Sequence, residues 1–192
     1  MKRGLKVYSI LLVVSGILVL SINAYWYFFG IHVSAHPKEL IEVEKLVIDP
    51  KNNVEKMRFN AGEQIGILSI PKLKQSLPVY EGTSKEILKK GVGHVVSTAL
   101  PGKNNNSVLS GHRDTVFRKL GELVVGDRLF FTLNEQAFFY KIKNIRIVDK
   151  DDHTVIVPRS KSTLTLTTCY PFHIVGPAPK RYIIEAEQIK LR

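Results

Sequence analysis

Short runs in which apolar and polar residues alternate dominate the chain from residue 63 onwards, and they predict β-strands. Alternation with a period of two puts successive side chains on opposite faces of a strand. Gly, Pro and Asn residues separate the runs, where turns are expected. The predicted strands are residues 64–70, 77–80, 94–96, 107–110, 128–133, 137–148, 154–157, 163–169 and 182–189. Many short strands with few helices predict an all-β domain over residues 63–192, either a barrel or a sandwich.

Two segments have helical signals instead. Ser84 is a favoured N-cap residue and Gly91 is a favoured residue just past a helix end, so residues 84–90 are predicted to form one short helix. Residues 30–62 mix acidic, basic and apolar positions before the chain reaches Asp49-Pro50. This pattern predicts a stalk or linker that contains a short amphipathic helix.

The N-terminal part of the chain is a long apolar run that follows basic residues. Three basic residues lie within residues 1–6, and no Asp, Glu, Lys or Arg occurs in residues 7–37. An apolar helix of about 20 residues spans a bilayer, and residues 25–29, all aromatic, suit its interface. Residues 7–29 are therefore predicted to be one transmembrane helix. The basic residues place residues 1–6 in the cytoplasm and the following domain outside, which predicts a single-pass protein of the cell membrane.

A cleaved signal peptide is the competing interpretation of the same region. Val33-Ser34-Ala35 resembles a small-residue processing site. The apolar part of a signal peptide is about 7 to 15 residues long, which is shorter than the run observed. The retained anchor is therefore the favoured interpretation.

The charge balance of the chain is basic, with a formal net charge of +11 and a pI of about 9.7. Residues 1–37 hold three basic and no acidic residues, so a net charge of +8 belongs to the remainder. A basic domain at a cell surface suits anionic lipid head groups or wall polymers. Nucleic acid is not an expected partner, because the predicted anchor argues against it and no nucleic-acid motif occurs. The single cysteine excludes an internal disulfide bond.

That cysteine follows a run of alternating Thr and Leu residues. The run predicts a strand in which Thr163, Thr165 and Thr167 share one face, and by the same parity Cys169 falls on that face. Pro171 cannot donate a hydrogen bond to a sheet, so the chain is expected to leave the sheet directly after the cysteine. A thiol at a strand end is a candidate reactive group, and a buried cysteine that acts as a small hydrophobe is the alternative.

Two further residues are candidates because of their positions beside predicted strands. His112 follows the strand of residues 107–110, so an imidazole stands at a second strand end. An imidazolium stabilises a nearby thiolate and later donates a proton. Asp114 either orients that imidazole or belongs to a turn. Arg181 precedes the last predicted strand, where it either stabilises a developing oxyanion or is a solvated charge.

Five motifs occur in the predicted domain: GVGH at residues 91–94, TALPG at 98–102, SGHRDT at 110–115, LTTC ending at Cys169, and RYIIEA at 181–186. Together they resemble the sortases, cysteine transpeptidases that attach secreted proteins to the cell wall of Gram-positive bacteria. The strings VLSGHRDTVFR and TTCYPF, with GPAPKRYII after them, are most similar to class D sortases of bacilli. The resemblance implies an eight-stranded β-barrel. It also implies that Cys169 is the nucleophile, His112 the acid and base, and Arg181 the oxyanion-stabilising or substrate-positioning residue.

The resemblance further implies a substrate and a reaction. A sortase cleaves an LPxT-type sorting signal, LPxTA or LPxTG, after Thr through a thioacyl-enzyme. It then transfers the secreted protein to the amine of a lipid-linked peptidoglycan precursor, and no cofactor is expected for that chemistry. The residues alone leave two alternatives open: a membrane-tethered cysteine protease that hydrolyses the same bond, and a noncatalytic surface barrel that binds a partner.

Metal sites are not favoured by the sequence. A zinc site built from Cys169, His173 and His112 lacks the ligand number and spacing of known zinc sites. An acidic cluster near residue 150 has fewer oxygen ligands at regular positions than a calcium loop presents, so a solvated turn is expected there.

Overall fold

The computed structural model describes residues 11–25, 57–134, 136–173 and 176–190, and the chain divides into two separate units. Residues 11–25 belong to the first unit and form an exposed helix. The other described ranges belong to the second unit, which contains a closed β-barrel. Within these four ranges, no helix combines the length and the apolar character needed to cross a membrane.

Eight strands close the barrel. They are β1 (Gln64–Ile70), β2 (Gln75–Glu81), β3 (Val92–His94), β4 (Asn106–Ser110), β5 (Arg128–Leu133), β6 (Gln136–Asp149), β7 (Thr163–Tyr170) and β8 (Lys180–Ile189). Their hydrogen-bonded order is β1-β2-β3-β4-β7-β8-β6-β5, and β5 pairs with β1 to complete the circle. The β2–β3 and β4–β7 pairs are parallel. Because β4 and β7 are parallel neighbours, their C-terminal ends lie at the same edge of the barrel.

Apolar side chains fill the core of the barrel. The fully buried ones include Leu68, Ile70, Leu77, Val79, Leu109, Leu129, Phe131, Leu133, Leu164, Leu166 and Ile184. Burial of each such side chain stabilises the fold by about 1.5 to 3 kcal/mol. In β7, Leu164 and Leu166 belong to this core, whereas Thr167 and Cys169 are only half-buried. The core therefore holds β7 rigidly up to the residues that precede the thiol.

The all-β domain that the pattern predicted, and the eight-stranded barrel that the family resemblance implied, are confirmed. The predicted bounds of β1 and β5 agree with the structure, β7 extends one residue further than predicted, and β3 lies two residues earlier. The predicted helix is also present. It spans Lys85–Lys90, and the Ser84 hydroxyl accepts a hydrogen bond from the backbone amide of Ile87 at 3.4 Å.

The strand predicted at residues 154–157 is wrong, because that segment consists of turns and irregular chain. Its carbonyl groups pair with a side chain instead of a neighbouring strand. The buried amide nitrogen Nδ2 of Asn106 donates to the carbonyls of Val155 and Val157, at 3.0 Å in both cases. Hydrogen bonds from a side chain to the backbone compete with sheet pairing, and the hydrophobic periodicity of a sequence does not reveal them.

The predictions for the N-terminal region fall mostly outside the described residues. The helix of residues 11–25 coincides with the middle of the predicted anchor at residues 7–29, and the rest of that segment is not described. The predicted stalk at residues 30–62, with its amphipathic helix, is described only from residue 57. The domain boundaries along the chain therefore stay predictions.

Candidate active site

A cleft of about 400 Å³ opens at the edge of the barrel where β4 and β7 end. The three residues that the sequence singled out, His112, Cys169 and Arg181, all line this cleft. Each is partly exposed, so a substrate in the cleft has access to all three side chains. The remaining lining residues are Thr83, Leu88, Val95, Ser110, Gly111, Val148, Asp149, Lys150, Asp152, Val155, Ile156, Thr167, Thr168 and Ile183.

Cys169 is the second-to-last residue of β7, and it is directly paired with Arg181 of β8. Paired residues of antiparallel strands project to the same face, with Cβ atoms about 4.5 to 5.5 Å apart. The thiol and the guanidinium therefore enter the cleft side by side. Cys169 is a free cysteine.

His112 follows β4 by two positions, and hydrogen bonds fix the preceding backbone against β7. The amide of Gly111 donates to the carbonyl of Thr167 at 3.2 Å. The Thr168 hydroxyl donates to the carbonyl of Gly111 at 2.7 Å. The carbonyl of His112 itself accepts from the amide of Phe117 at 3.0 Å. The chain that carries the imidazole is thus attached to the two residues that precede the thiol.

Sequence reasoning missed the contribution of Thr168. The alternation in β7 identified a threonine face, but it assigned nothing to this second threonine of the LTTC motif. The structure shows its hydroxyl buried and bonded to the residue before His112. One signal was available in the sequence. Thr168 has the parity of Leu164 and Leu166, so it is a polar residue on the apolar face of the strand.

Asp114 does not orient the imidazole in this structure. Its side chain is exposed, and within the described part of the chain it makes no hydrogen bond to His112. Its backbone carbonyl accepts two hydrogen bonds from the guanidinium of Arg118. The second interpretation from the sequence, a residue of a turn, therefore describes Asp114 better.

Arg181 is held in place by the loop from which it emerges. Its Nη1 atom donates to the carbonyls of Ala178 at 3.1 Å and of Lys180 at 3.0 Å. Within the described residues, its Nε and Nη2 atoms make no hydrogen bond. Because a guanidinium carries five N–H donors, Arg181 keeps donor capacity for a ligand in the cleft while its orientation is fixed.

Within the acidic cluster near position 150, Asp152 is bonded to its neighbour Thr154. The carboxylate of Asp152 accepts hydrogen bonds from the hydroxyl and the amide of Thr154, both at 2.6 Å. These bonds, together with the charge of Arg146, lower the pKa of Asp152 below its usual value. Among the described residues, no group of three or more His, Cys, Asp or Glu side chains is arranged to hold a metal ion.

A closed eight-stranded barrel with a cysteine, a histidine and an arginine around one cleft defines a class of cysteine enzymes. Residues 68–189 match the family model described as the Sortase domain, and the chain belongs to the sortase family. Members of this family are cysteine transpeptidases that anchor proteins to the cell wall. The expected family and enzyme class are thus confirmed.

Individual relatives agree with this assignment. The chain is 48% identical over 142 residues to Sortase D of Bacillus subtilis (strain 168), an alignment that covers 73% of this chain and 72% of the relative. It is 25% identical over 158 residues to Sortase A of Bacillus anthracis, covering 80% and 73% of the two chains. The first of these similarities agrees with the predicted likeness to class D sortases of bacilli.

Solved structures show the same fold. The structure of Clostridium perfringens sortase C with the C-terminal cell wall sorting motif has a TM-score of 0.66 and 30% identity, covering 78% of this chain and 90% of that chain. The Clostridium perfringens Sortase D5 transpeptidase has a TM-score of 0.65 and 28% identity, covering 77% and 92%. The barrel described above is therefore a sortase fold.

Proposed function

We propose that this sortase is a membrane-anchored transpeptidase that cleaves an LPxT-type sorting signal after Thr and transfers the acyl group to an amine of a lipid-linked peptidoglycan precursor. The observation that carries the proposal is that Cys169, His112 and Arg181 line one cleft. The proposal assigns them the roles of nucleophile, acid and base, and oxyanion-stabilising residue. Its substrates are secreted proteins with a C-terminal sorting signal.

In the first half of the reaction, the thiol of Cys169 passes its proton to His112, and the resulting thiolate attacks the carbonyl carbon of the signal's Thr. The C–N bond to the next residue breaks, and His112 donates a proton to the departing amine. The enzyme is left with a thioester between Cys169 and the Thr carbonyl. This intermediate keeps the energy of the broken amide in an activated acyl group.

In the second half, the precursor's amine nitrogen attacks the thioester carbonyl. His112 removes a proton from that nitrogen, the C–S bond breaks, and the thiol of Cys169 is restored. One peptide bond has then been exchanged for another, with no net oxidation or reduction. The chemistry needs only groups that the cleft contains and the two substrates.

Arg181 suits the stabilisation of the negative oxygen that forms in both halves. Its guanidinium stands beside Cys169 across the β7–β8 pair, and its Nε and Nη2 donors make no hydrogen bond within the described residues. Donors that are oriented before the reaction cost little reorganisation when the oxyanion forms. An arginine fixed through Nη1 alone meets this requirement.

The apolar part of the cleft suits the Leu and Pro of the proposed signal. Leu88, Val95 and Val148 line it, and Ile156 contributes a side chain that is 52% exposed. Burial of a peptide's apolar side chains against such a surface lowers the free energy of the complex. We infer an Ala after Thr in the preferred signal from the likeness to class D sortases, with Gly as the alternative.

Membrane anchoring and an extracellular position are part of the same proposal. Their support is the apolar run of residues 7–29 behind three basic residues, and the helical conformation of residues 11–25. An anchor keeps the enzyme at the surface where a lipid-linked precursor resides.

The proposal is tested with LPxTA and LPxTG peptides, with and without an amine acceptor, followed by mass spectrometry of protein and products. We expect an adduct on Cys169 with the mass of the acyl fragment, and its conversion to a new amide faster than to the acid when an amine is added. Cys169→Ala should abolish both adduct and product. Cys169→Ser should be nearly as inactive, because a hydroxyl has no comparable anionic form near neutral pH.

The same measurements distinguish the alternatives. Release of acid at a rate that no amine changes would establish a protease in place of a transpeptidase. No adduct with any peptide, together with a thiol that does not react with iodoacetamide, would establish the noncatalytic barrel.

A further inference from the structure

The loop between β7 and β8 joins the two strands that carry Cys169 and Arg181, and a side chain from another part of the barrel holds this loop. The Nη1 atom of Arg113 donates to the carbonyl of Pro171 at 2.7 Å. Its Nη2 atom donates to the carbonyl of Gly176, also at 2.7 Å. One guanidinium therefore bonds the loop at two separate points.

We propose that Arg113 is a positioning residue for acyl transfer, which fixes the β7–β8 loop and, through that loop, the guanidinium of Arg181. This inference rests on the proposed function, because it assigns a purpose to the orientation of Arg181. Arg113 lies inside the SGHRDT motif, but the sequence analysis gave it no role and it does not line the cleft. Arg113 immediately follows His112, so it connects the imidazole's segment to the far side of the loop.

The second link in this arrangement is the contact between the loop and Arg181. Nη1 of Arg181 donates to the carbonyl of Ala178, a residue of the same loop, at 3.1 Å. A displacement of the loop therefore moves the acceptor that orients this guanidinium. The path consists of three hydrogen bonds: Arg113 to Pro171, Arg113 to Gly176, and Arg181 to Ala178.

Arg113 acts on the reaction through other residues and not on the substrate. It is absent from the residues that line the cleft. Its two terminal nitrogens already donate to backbone carbonyls, and hydrogen bonds from a charged donor are about twice as strong as neutral ones. Its guanidinium is thus committed to the loop, whereas the guanidinium of Arg181 retains donors toward the cleft.

The geometry also explains why this position needs arginine. Two carbonyls of residues 171 and 176 are reached at once by the planar fork of a guanidinium. A lysine ammonium is a single point of charge on a flexible chain and does not reproduce a rigid two-point contact. Arg113→Lys therefore keeps the positive charge and removes the two-point contact with the loop.

The first measurement is kinetic and uses the full-length protein with the LPxTA peptide. We expect Arg113→Lys to slow thioester formation by about 10- to 100-fold, the scale of a small misplacement near a reacting centre, with little change in KM. The exposed Arg128 on β5 offers a matched control, and Arg128→Lys should leave the rate unchanged.

The second measurement tests whether Arg113 acts through Arg181. If it does, Arg113→Lys should cost little further activity in an Arg181→Ala background, because coupled residues are not additive. Iodoacetamide should alkylate Cys169 at the wild-type rate in Arg113→Lys, since the thiol and His112 are untouched. Additive losses in the double variant would overturn the positioning role.

A third measurement needs no activity. Hydrogen–deuterium exchange of the β7–β8 loop should be faster in Arg113→Lys than in the wild type and in Arg128→Lys. Unchanged exchange would show that Arg113 does not fix the loop, whatever the activity of the variant. If the wild type forms no thioester but loop exchange is faster in Arg113→Lys, the proposed function and the kinetic role of Arg113 are both overturned. The structural role of Arg113 in fixing the loop would still be supported.

Discussion

The guanidinium of Arg181 is oriented by the backbone around it and by its place opposite Cys169. Two backbone carbonyls hold Nη1, and direct pairing with Cys169 places the group beside the thiol. The donors that remain, on Nε and Nη2, lie in the plane of the guanidinium that these bonds hold. A flexible cation at this position does not offer donors in a fixed plane.

We therefore expect Arg181→Ala to slow thioester formation about 10²-fold or more, the scale associated with loss of one oxyanion donor. Arg181→Lys should recover little of that rate. The rate is measured by mass spectrometry of protein quenched at early times with an LPxTA peptide, with Arg128→Ala as a control at an exposed site. Near-normal turnover by Arg181→Ala would show that the charge is only solvated at the start of β8.

The hydroxyl of Thr168 donates a hydrogen bond to the carbonyl of Gly111, the residue before His112. Thr168→Val keeps the shape of the side chain and leaves that buried carbonyl without a partner. We expect the free energy of unfolding to fall by about 1 to 3 kcal/mol, and thioester formation to slow because His112 loses part of its attachment to β7. Urea denaturation and the thioester assay measure the two effects.

A matched control for this substitution lies on β5. The hydroxyl of Thr132 is buried and has no hydrogen-bond partner within the described structure. Thr132→Val should leave the stability unchanged or increase it slightly, because no bond is lost and a buried polar group is removed. Equal destabilisation by both substitutions would show that the Thr168 hydrogen bond contributes nothing specific.

Among the elements of the fold, the connection between β6 and β7 forms one wall of the cleft without being a strand. Asn106, the first residue of β4, fixes it: its Nδ2 atom donates to the carbonyls of Val155 and Val157, and its Oδ1 atom accepts from the Thr165 hydroxyl at 2.7 Å. A buried side chain with three hydrogen bonds thus holds the backbone that presents Val155 and Ile156 to the cleft.

Asn106→Leu should be among the most damaging substitutions at this element. It removes three hydrogen bonds, two of them buried, and takes away the side-chain partner of two carbonyls and a hydroxyl. We therefore expect a loss of about 2 to 4 kcal/mol in the free energy of unfolding. At temperatures where the variant is folded, KM for the peptide should rise, because the cleft wall is displaced. The exposed Asn144, which donates to Glu185 at 3.0 Å, provides the control. Asn144→Leu should cost less than about 1 kcal/mol.

The same connection shows how far the sequence could be used to predict the structure. The strands of the barrel followed from a period of two, which local chain geometry enforces. The threonine run located Cys169, and the predicted strand ends made His112 and Arg181 candidates, while the family resemblance gave all three their expected roles. The segment 154–157 was predicted wrongly, and Thr168 and Arg113 were missed, because their hydrogen bonds join segments that are distant in the sequence. No local pattern records such contacts.

For the molecule as a whole, one buried phenol links the stability of the barrel to pH. Tyr140 of β6 is fully buried, and its oxygen accepts a hydrogen bond from the amide of Gly102 at 2.8 Å. Burial raises the pKa of Tyr140 from 10.0 to about 12. The phenol therefore ionises in the unfolded chain at a lower pH than in the barrel. Its contribution to stability is complete below pH 10 and is lost as the pH rises towards 12.

We expect this group alone to account for about 2 to 3 kcal/mol of lost stability across that range. Tyr140→Phe should be less stable than the wild type at pH 8, since the amide of Gly102 loses its acceptor. The difference in the free energy of unfolding between the two proteins should narrow between pH 9 and pH 11.5. Urea denaturation at several pH values measures it, and a difference independent of pH would contradict the assignment to Tyr140.

The position of the whole molecule relative to the membrane is testable because the chain has a single cysteine, which lies half-exposed in the cleft. If residues 7–29 are an uncleaved anchor with residues 1–6 inside, a membrane-impermeant maleimide attached to polyethylene glycol should label Cys169 in intact protoplasts. The labelled protein should sediment with the membranes, and Cys169→Ala should show no labelling. Protection of Cys169 until the protoplasts are lysed would contradict the outward orientation. Labelled protein free in the supernatant, shortened at its N-terminus, would show that the apolar run is a cleaved signal peptide and would remove the anchor from the proposal.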